Sequence, residues 1–433
     1  MRAIRYNTFD IDSTILTIAD WYHNVSSKVT LPSVADSTLI NGLGRYKGGP
    51  KSELSVVSVT KGKRYRIRLI AMVCGPFYTF SIDGHELKVI EADGVNTEPY
   101  CVNNITIFPA QRYSFVLHAD QPVGNYWIRA EPRPGGDGGI AGFEGGINSG
   151  ILRYHGAPVA EPKTKIWSGS QVKPLKEAKI VPLENPAAPG KHHPGGADVN
   201  MNLHLGFNNN AGEFTINNAS WAPPSVPILL QILNGHTKAQ DILPHGSVYT
   251  LPPNKVIEVS IPPGDAGGDP VSILSCNFIR DFINRRLCAH SMLSTCMGFV
   301  FSLNVPSYMS NNLLCLQHDF SVVRSAGSST YNYANPVRRD TVSTGTPGDN
   351  VTIRFETDNT GPWLLHWFVF QVIVICRLTT NYGDYAVTST SISTCKSYIW
   401  RYIYDLILFC RGLAIVFAEN PRGTSAVDKP TRK

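Results

Sequence analysis

Twelve histidines and nine cysteines are the chain's stock of metal-binding and redox-capable side chains. Metal sites place such residues at short spacings, so that neighbouring side chains reach one ion. No Cys-x-x-Cys and no His-x-His occurs in the 433 residues. The adjacent pair His192-His193 sits in a stretch rich in Pro, Gly and Lys and reads as loop. His23, His118, His155, His204, His236, His245 and His290 show no cluster spacing. An odd number of cysteines cannot be fully paired, and their spacings fit no zinc pattern.

The cysteines are unevenly placed. Seven of the nine fall in two windows, 271–317 and 367–411: Cys276, Cys288, Cys296, Cys315, Cys376, Cys395 and Cys410. Of the 37 glycines and 30 prolines, the windows hold only Gly298, Gly383 and Pro306. The rest of the chain is turn-rich, with Cys74 and Cys101 its only cysteines. Two compositions in one chain point to two origins, with true insertions as the alternative.

The elements that would position any site are strands. Hydrophobic residues make up 42% and charged residues 17% of the chain, enough to bury sizeable cores. The net charge of +6 is mild for this length and forms no Lys/Arg block, which argues against nucleic acid. No run of eighteen apolar residues appears, so a membrane span is not expected, and the first residues lack a signal-peptide core. Segments 13–23, 53–60, 64–73, 78–82, 87–91, 104–109, 112–118, 124–130 and 149–154 read as short strands bounded by turn residues. Their inward phases give Tyr65, Ile67, Leu69, Phe115, Leu117 and Trp127 as core. Residues 156–200 read as a linker. A second series follows at 201–207, 213–217, 227–233, 247–251, 256–261, 320–324, 351–356 and 413–418. The expectation is all-β, two sandwiches, over 1–155 and 201–433.

The order of words is specific. TIADWYH (17–23), LINGLGRY (39–46), YTFSIDGHELKVIEADG (78–94) and QRYSFVL (111–117) precede the linker. INNASWAPPSVPILLQIL (216–233), FSVVRSAGSSTYNYANP (320–336), DNVTIRFETDNTGPWLLH (349–366) and GLAIVFAEN (412–420) follow it. In this order they resemble the basidiomycete fungal laccases, which are multicopper oxidases, over nearly everything outside the two windows. The resemblance implies cupredoxin-like Greek-key β-sandwiches. It implies one-electron oxidation of phenols and aromatic amines, with O2 reduced to water, and a role in lignin and phenolic breakdown. It implies copper as cofactor, four per chain, phenolic small molecules as partners, a monomer, and secretion. Thiolate plus imidazoles suits a blue electron-transfer copper, and imidazoles alone suit the cluster.

The copper motifs themselves are interrupted. By resemblance, the opening matches the second of the family's three sandwiches, so the motifs of the first are expected to be absent. A third motif, His-Pro-Phe-His-Leu-His-Gly-His, is expected just before Asp319-Phe320-Ser321; only His318 stands there, matching a non-ligand. The fourth, beginning His-Cys-His, is expected after Leu365. His366 matches its first histidine, a type 3 copper ligand, and Trp367 stands where the type 1 cysteine belongs. His366 is thus the one surviving ligand position, and the chain is expected to hold no copper and have no oxidase activity. Cys74 matches a disulfide cysteine without its partner, and Gly75 replaces a carboxylate near the phenol. His85 belongs to a family word but is not a ligand.

Both windows fall on these motifs, and the genetic code offers a reason. Val271-Ser272 can be GTG AGT, an intron start, and Leu316-Gln317 can be CTG CAG, an intron end. Cys410-Arg411 can be TGC AGG, another end. Codons for Phe-His-Leu-His-Gly, read one base later, give Ser-Thr-Cys-Met-Gly, the sequence at 294–298. Retained introns are the expectation. Sequons at Asn24, Asn104, Asn218 and Asn350 are glycan candidates in a secreted family. The rival readings are an intron-retaining gene-model artefact and a non-catalytic β-sandwich binding protein. An exposed aromatic platform would favour the latter, and the sequence places none.

Overall fold

The computed structural model describes residues 9–24, 34–73, 77–133, 139–208, 210–211, 213–222, 224–243, 246–262, 272–276, 319–345, 348–367 and 414–427. The chain divides into two compact units, Met1–Pro186 and Ala187–Lys433. The described part of each is built mainly of strands.

The first unit runs β1 (Ile11–Trp21), β2 (Ser37–Ile40), β3 (Val56–Val59), β4 (Arg64–Ala71), β5 (Phe77–Ile82), β6 (Leu87–Ala92), β7 (Val95–Val102), β8 (Ile105–Ile107), β9 (Arg112–His118), β10 (Asn125–Arg133) and β11 (Ser149–Tyr154). One sheet has the order β2-β1-β4-β9-β6-β7 and the other β3-β11-β10-β5-β8. Strand β4 shows why: Tyr65, Ile67 and Leu69 alternate with Arg64, Arg66 and Arg68, so one face is buried and the other carries charge. The core joins the sheets through Phe80 of β5 and Phe115 of β9, whose rings are 5.9 Å apart.

The second unit runs β12 (Val199–Asn202), β13 (Leu205–Asn208), β14 (Glu213–Ile216), α1 (Ile228–Leu233), α2 (Ala239–Ile242), β15 (Val248–Leu251), β16 (Val256–Ile261), β17 (Ser272–Cys276), β18 (Phe320–Arg324), β19 (Arg338–Arg339), β20 (Thr341–Ser343), β21 (Val351–Glu356), β22 (Gly361–Trp367), β23 (Ala414–Glu419) and α3 (Pro421–Val427). Its sheets have the orders β12-β16-β21-β18-β19 and β15-β23-β22-β17-β20, beside the hairpin β13-β14. Phe355 of β21 meets Phe417 of β23 across the core, rings 5.8 Å apart.

The two units repeat one topology. In each, one sheet contains a parallel pair, β1 with β4 and β12 with β16, and β2, antiparallel at the edge of the first unit's sheet, has no counterpart among the described residues of the second. The other sheet also contains a parallel pair, β3 with β11 and β15 with β23. The remaining strands pair antiparallel in matching order, so β5 corresponds to β17 and β10 to β22.

Three expectations are corrected. Residues 227–233 are not a strand: Ile228–Leu233 is helical after Pro227, with Ile228, Leu229 and Ile232 buried and Leu230 exposed. A continuous apolar run fits either element, and here the buried residues follow the helical period. Trp127 is not core. The inward phase of β10 is Tyr126, Ile128 and Ala130, so Trp127 lies on the opposite face of the pleat. The span 201–207 is two strands, the end of β12 and β13. Strands β2, β7, β17, β19, β20 and β22 fall outside the segments expected from the sequence. Of these, β7 carries Pro99 and little alternation, and β22 is a continuous run opening on Gly361-Pro362.

The Pro/Gly-rich stretch is stitched down in two pieces. Residues 173–183 run along the edge strand β7, with N–H to carbonyl bonds Glu98 to Val181 and Leu183 to Asn96, both 2.8 Å. This pairing covers an otherwise open sheet edge. In the second unit, Ala188 donates to the Tyr333 carbonyl at 2.9 Å.

Candidate functional site

Strand β22 carries the copper-ligand position read from the sequence. Its residues Gly361 to His366 pair antiparallel with β23, from Gly361 opposite Glu419 to His366 opposite Ala414. On its other side Leu274 of β17 stands opposite His366. His366 is 3% exposed, and Trp363 and Leu365 are buried beside it in sequence. The strand is therefore built, buried and in register, and it holds one imidazole at the expected place.

Among the described residues no donor set matching a copper site includes His366. A blue copper takes a thiolate and two imidazoles, and cluster coppers take several imidazoles each. Among the described residues no three His, Cys, Asp or Glu side chains converge on a point. His318, Cys74 and Gly75 lie outside the described residues.

Among the described histidines, His85 and His192 have structural work. His85 sits in the turn after β5, where Gly84 takes φ +74°. Its Nδ1 is 2.8 Å from the Asp83 carbonyl and its Nε2 is 2.7 Å from the Tyr154 hydroxyl. A carbonyl only accepts, so Nδ1 carries the proton and Nε2 accepts from Tyr154. The Tyr154 oxygen in turn accepts the Gln121 N–H at 3.2 Å. Burial holds the His85 pKa below its ordinary value, opposed by the Asp83 carbonyl. Burial also pushes the Tyr154 phenol up. His192 stacks on Tyr333 with ring centroids 6.3 Å apart, and the His193 carbonyl accepts from Arg354 at 2.6 Å.

Two buried charge pairs brace the sandwiches. Arg129 clamps Asp83 with bonds of 2.8 and 2.7 Å, and the Thr164 hydroxyl donates to the same carboxylate at 2.7 Å. Arg354 Nε donates to Glu258 at 2.6 Å, and its Nη atoms donate to the carbonyls of Pro189, Lys191 and His193. The guanidinium lies 4.4 Å from the centre of the Tyr333 ring. Nothing in local sequence pattern marks either pair, because the partners are 46 and 96 residues apart.

The sequon asparagines differ in setting. Asn24 is exposed. Asn218 is exposed at the tip of a two-residue turn, φ +65° after Asn217 at +51°, closed by reciprocal bonds between Ile216 and Ala219. Asn104 is half-buried, and its carbonyl holds the Leu175 N–H at 2.8 Å. Asn350 is half-buried with its Oδ1 out of reach of solvent, and Val351 and Thr352 after it are fully buried. Cys101 is an exposed free thiol on β7.

Two further surface features were not legible in the sequence. A cleft of about 390 Å³ lies over α1 and α2, with His236, Asn234 and Gln231 on its rim and Ile242 and Leu243 in its lining. Phe207 and Phe214 face each other across the β13-β14 hairpin, centroids 4.9 Å apart. Their planes cross at 66°, so they form an edge-to-face pair and not a flat platform.

Comparison with known proteins places these features in context. Two sequence profiles, both described as multicopper oxidase, match residues 12–157 and 317–367. The second match begins at the last residue of the first odd window and ends at the first residue of the second. The chain is 49% identical over 361 residues to Laccase-1 of Pleurotus ostreatus, covering 83% of this chain and 59% of that protein. It is 51% identical over 360 residues to a laccase of Pycnoporus cinnabarinus, covering 82% and 60%. It thus spans about 60% of the length of these relatives. In fold it is similar to Fet3p, a multicopper oxidase that functions in iron import, at TM-score 0.68 and 16% identity, over 98% of this chain and 68% of that one. It is also similar to the laccase of Botrytis aclada at TM-score 0.65 and 21% identity, over 96% and 65%. The Greek-key sandwiches are therefore cupredoxin-like. Among the described residues no helix is long and apolar enough to cross a membrane.

Proposed function

Because the chain belongs to the multicopper oxidase family, alongside the basidiomycete laccases, we propose that its gene encodes a laccase-type oxidase. The reaction is one-electron oxidation of phenols and aromatic amines, with O2 reduced to water. Copper, when bound, supplies the redox chemistry; the protein supplies the sandwich that positions its ligands. Secretion, N-glycosylation, action on lignin-derived phenols and a monomeric state belong to the same proposal. Residues 1–155 and 201–433 are its second and third cupredoxin-like domains, joined by 156–200.

The 433-residue chain is, in this reading, the unspliced form of that product and holds no functional copper set. The observation that carries it is β22: a complete family strand, with an imidazole at the ligand position and Trp367 at the thiolate position, where a foreign window begins. True insertions do not account for both windows falling on ligand motifs. The match at 317–367, bounded by the windows on both sides, supports the same reading.

Sequencing cDNA across the codons for Pro270 to His318 and His366 to Gly412 tests it. A mature message that lacks the windows and restores His-Pro-Phe-His-Leu-His-Gly and His-Cys-His is the expected result. A message that keeps both windows in frame overturns the splicing reading and leaves the chain without its ligand motifs.

A further inference from the structure

The five-stranded sheets β3-β11-β10-β5-β8 and β15-β23-β22-β17-β20 match strand for strand, and the match shows what the place of β17 requires. In the first unit β5 is hydrogen-bonded between β10 and β8. It is an ordinary core strand, with Tyr78, Phe80 and Ile82 fully buried. In the second unit the corresponding place, between β22 and β20, is held by Ser272–Cys276. Its register runs from Ile273 opposite Trp367 to Cys276 opposite Leu364 on one side. On the other it runs from Ser272 opposite Ser343 to Leu274 opposite Thr341. These five residues belong to the first odd window and to none of the family words.

We infer that this place is a slot the sandwich must fill, and that the window supplies a stand-in strand. The stand-in closes the fold while setting a leucine at the register position opposite His366. The need to fill the slot comes from the backbone. Thr341, Val342 and Ser343 are all buried, and β22 is buried at Trp363, Leu365 and His366. Buried N–H and C=O groups must be paired. Strands β20 and β22 flank β17, so they lie two strand spacings apart, about 10 Å, too far to pair with each other.

Any extended segment between β16 and β18 meets the backbone requirement. The residue opposite His366 decides the chemistry. Directly opposed residues have Cβ atoms about 4.5–5.5 Å apart, close enough for two side chains to share an ion. Leucine offers no lone pair, so the residue type at that register position is not that of a metal ligand. The inference rests on the proposed intron retention only for the origin of the strand.

Hydrogen exchange on the full 433-residue chain tests it with two variants. In the first, Leu274→Pro with Ser275→Pro removes donors from β17. Exchange at Thr341–Ser343 and Leu364–Trp367, the residues in register with β17, is expected to quicken about tenfold or more, with β5 and β10 unchanged. In the second, Ser272→Val, Ile273→Thr, Leu274→Val, Ser275→Thr and Cys276→Val replace the strand by an unrelated one, and protection is expected to stay as in the parent. Unchanged exchange in the proline variant overturns the inference. So does loss of protection in the Val/Thr variant, which also decides the matter if the proline variant does not fold. A spliced or unspliced message leaves these outcomes as they are.

Discussion

The Nε2 of His85 and the hydroxyl of Tyr154 lie 2.7 Å apart at the buried end of the first sandwich, 69 residues apart in sequence. The bond fixes a neutral imidazole with all its polar atoms satisfied. A histidine in a family word is thereby a brace between the β5–β6 turn and β11, and not a ligand. Replacing Tyr154 by Phe removes the donor to His85 and the acceptor for Gln121. The expected cost is about 1–3 kcal/mol, the usual penalty for stranding buried polar groups. Urea unfolding checks it, with the midpoint moving to lower urea.

The same imidazole makes stability depend on pH. Its folded pKa is depressed by burial, so the unfolded chain takes up its proton first as pH falls. The contribution is full above the unfolded value of about 6.5 and is lost as pH drops from there towards the folded pKa. Unfolding midpoints measured down through that window should fall for the parent. His85→Gln should flatten that part of the profile.

Arg354 binds Glu258 and three carbonyls of residues 189–193. Arg354→Ala strands a buried carboxylate and frees the loop. A loss of about 3–5 kcal/mol is expected for breaking one partner of such a pair. Limited trypsin digestion reads the loop directly, with cleavage after Lys191 appearing earlier in the variant.

Asn218 stands on an exposed turn, while the Asn350 sequon runs into buried Val351 and Thr352. In folded protein from a secretory host, deglycosylation in heavy-oxygen water should mark Asn218 and leave Asn350 unmarked. Peptide mass spectrometry distinguishes the two.

Much of this was legible in the residues. Alternation along 64–69 announces a strand because its sheet has one wet and one dry face, whereas 112–118 alternates in residue type but is buried on both faces from Arg112 to Leu117. Tyr65, Ile67, Leu69, Phe115 and Leu117 are all buried as that alternation requires. Trp127 lies outside the core although the sequence puts it inside, because Tyr126 and Ile128 flank it and either phase of the pleat looks apolar. The strand expected at 227–233 is a helix from Ile228 because an unbroken apolar run has no period of its own. The charge pairs Asp83–Arg129 and Glu258–Arg354 are products of the closed sandwich, which local pattern does not encode. At His366 the backbone says little about chemistry: β22 pairs along its whole length, and the proposal about copper there rests on residue types.

The central claim is that the 433-residue chain keeps the cupredoxin-like scaffold without its coppers. Metal analysis and the visible spectrum of the purified chain after loading with copper and exhaustive dialysis test it most directly. The account predicts copper well below one equivalent per chain and no blue thiolate-to-copper band. Stoichiometric, dialysis-resistant copper with a blue band would contradict it.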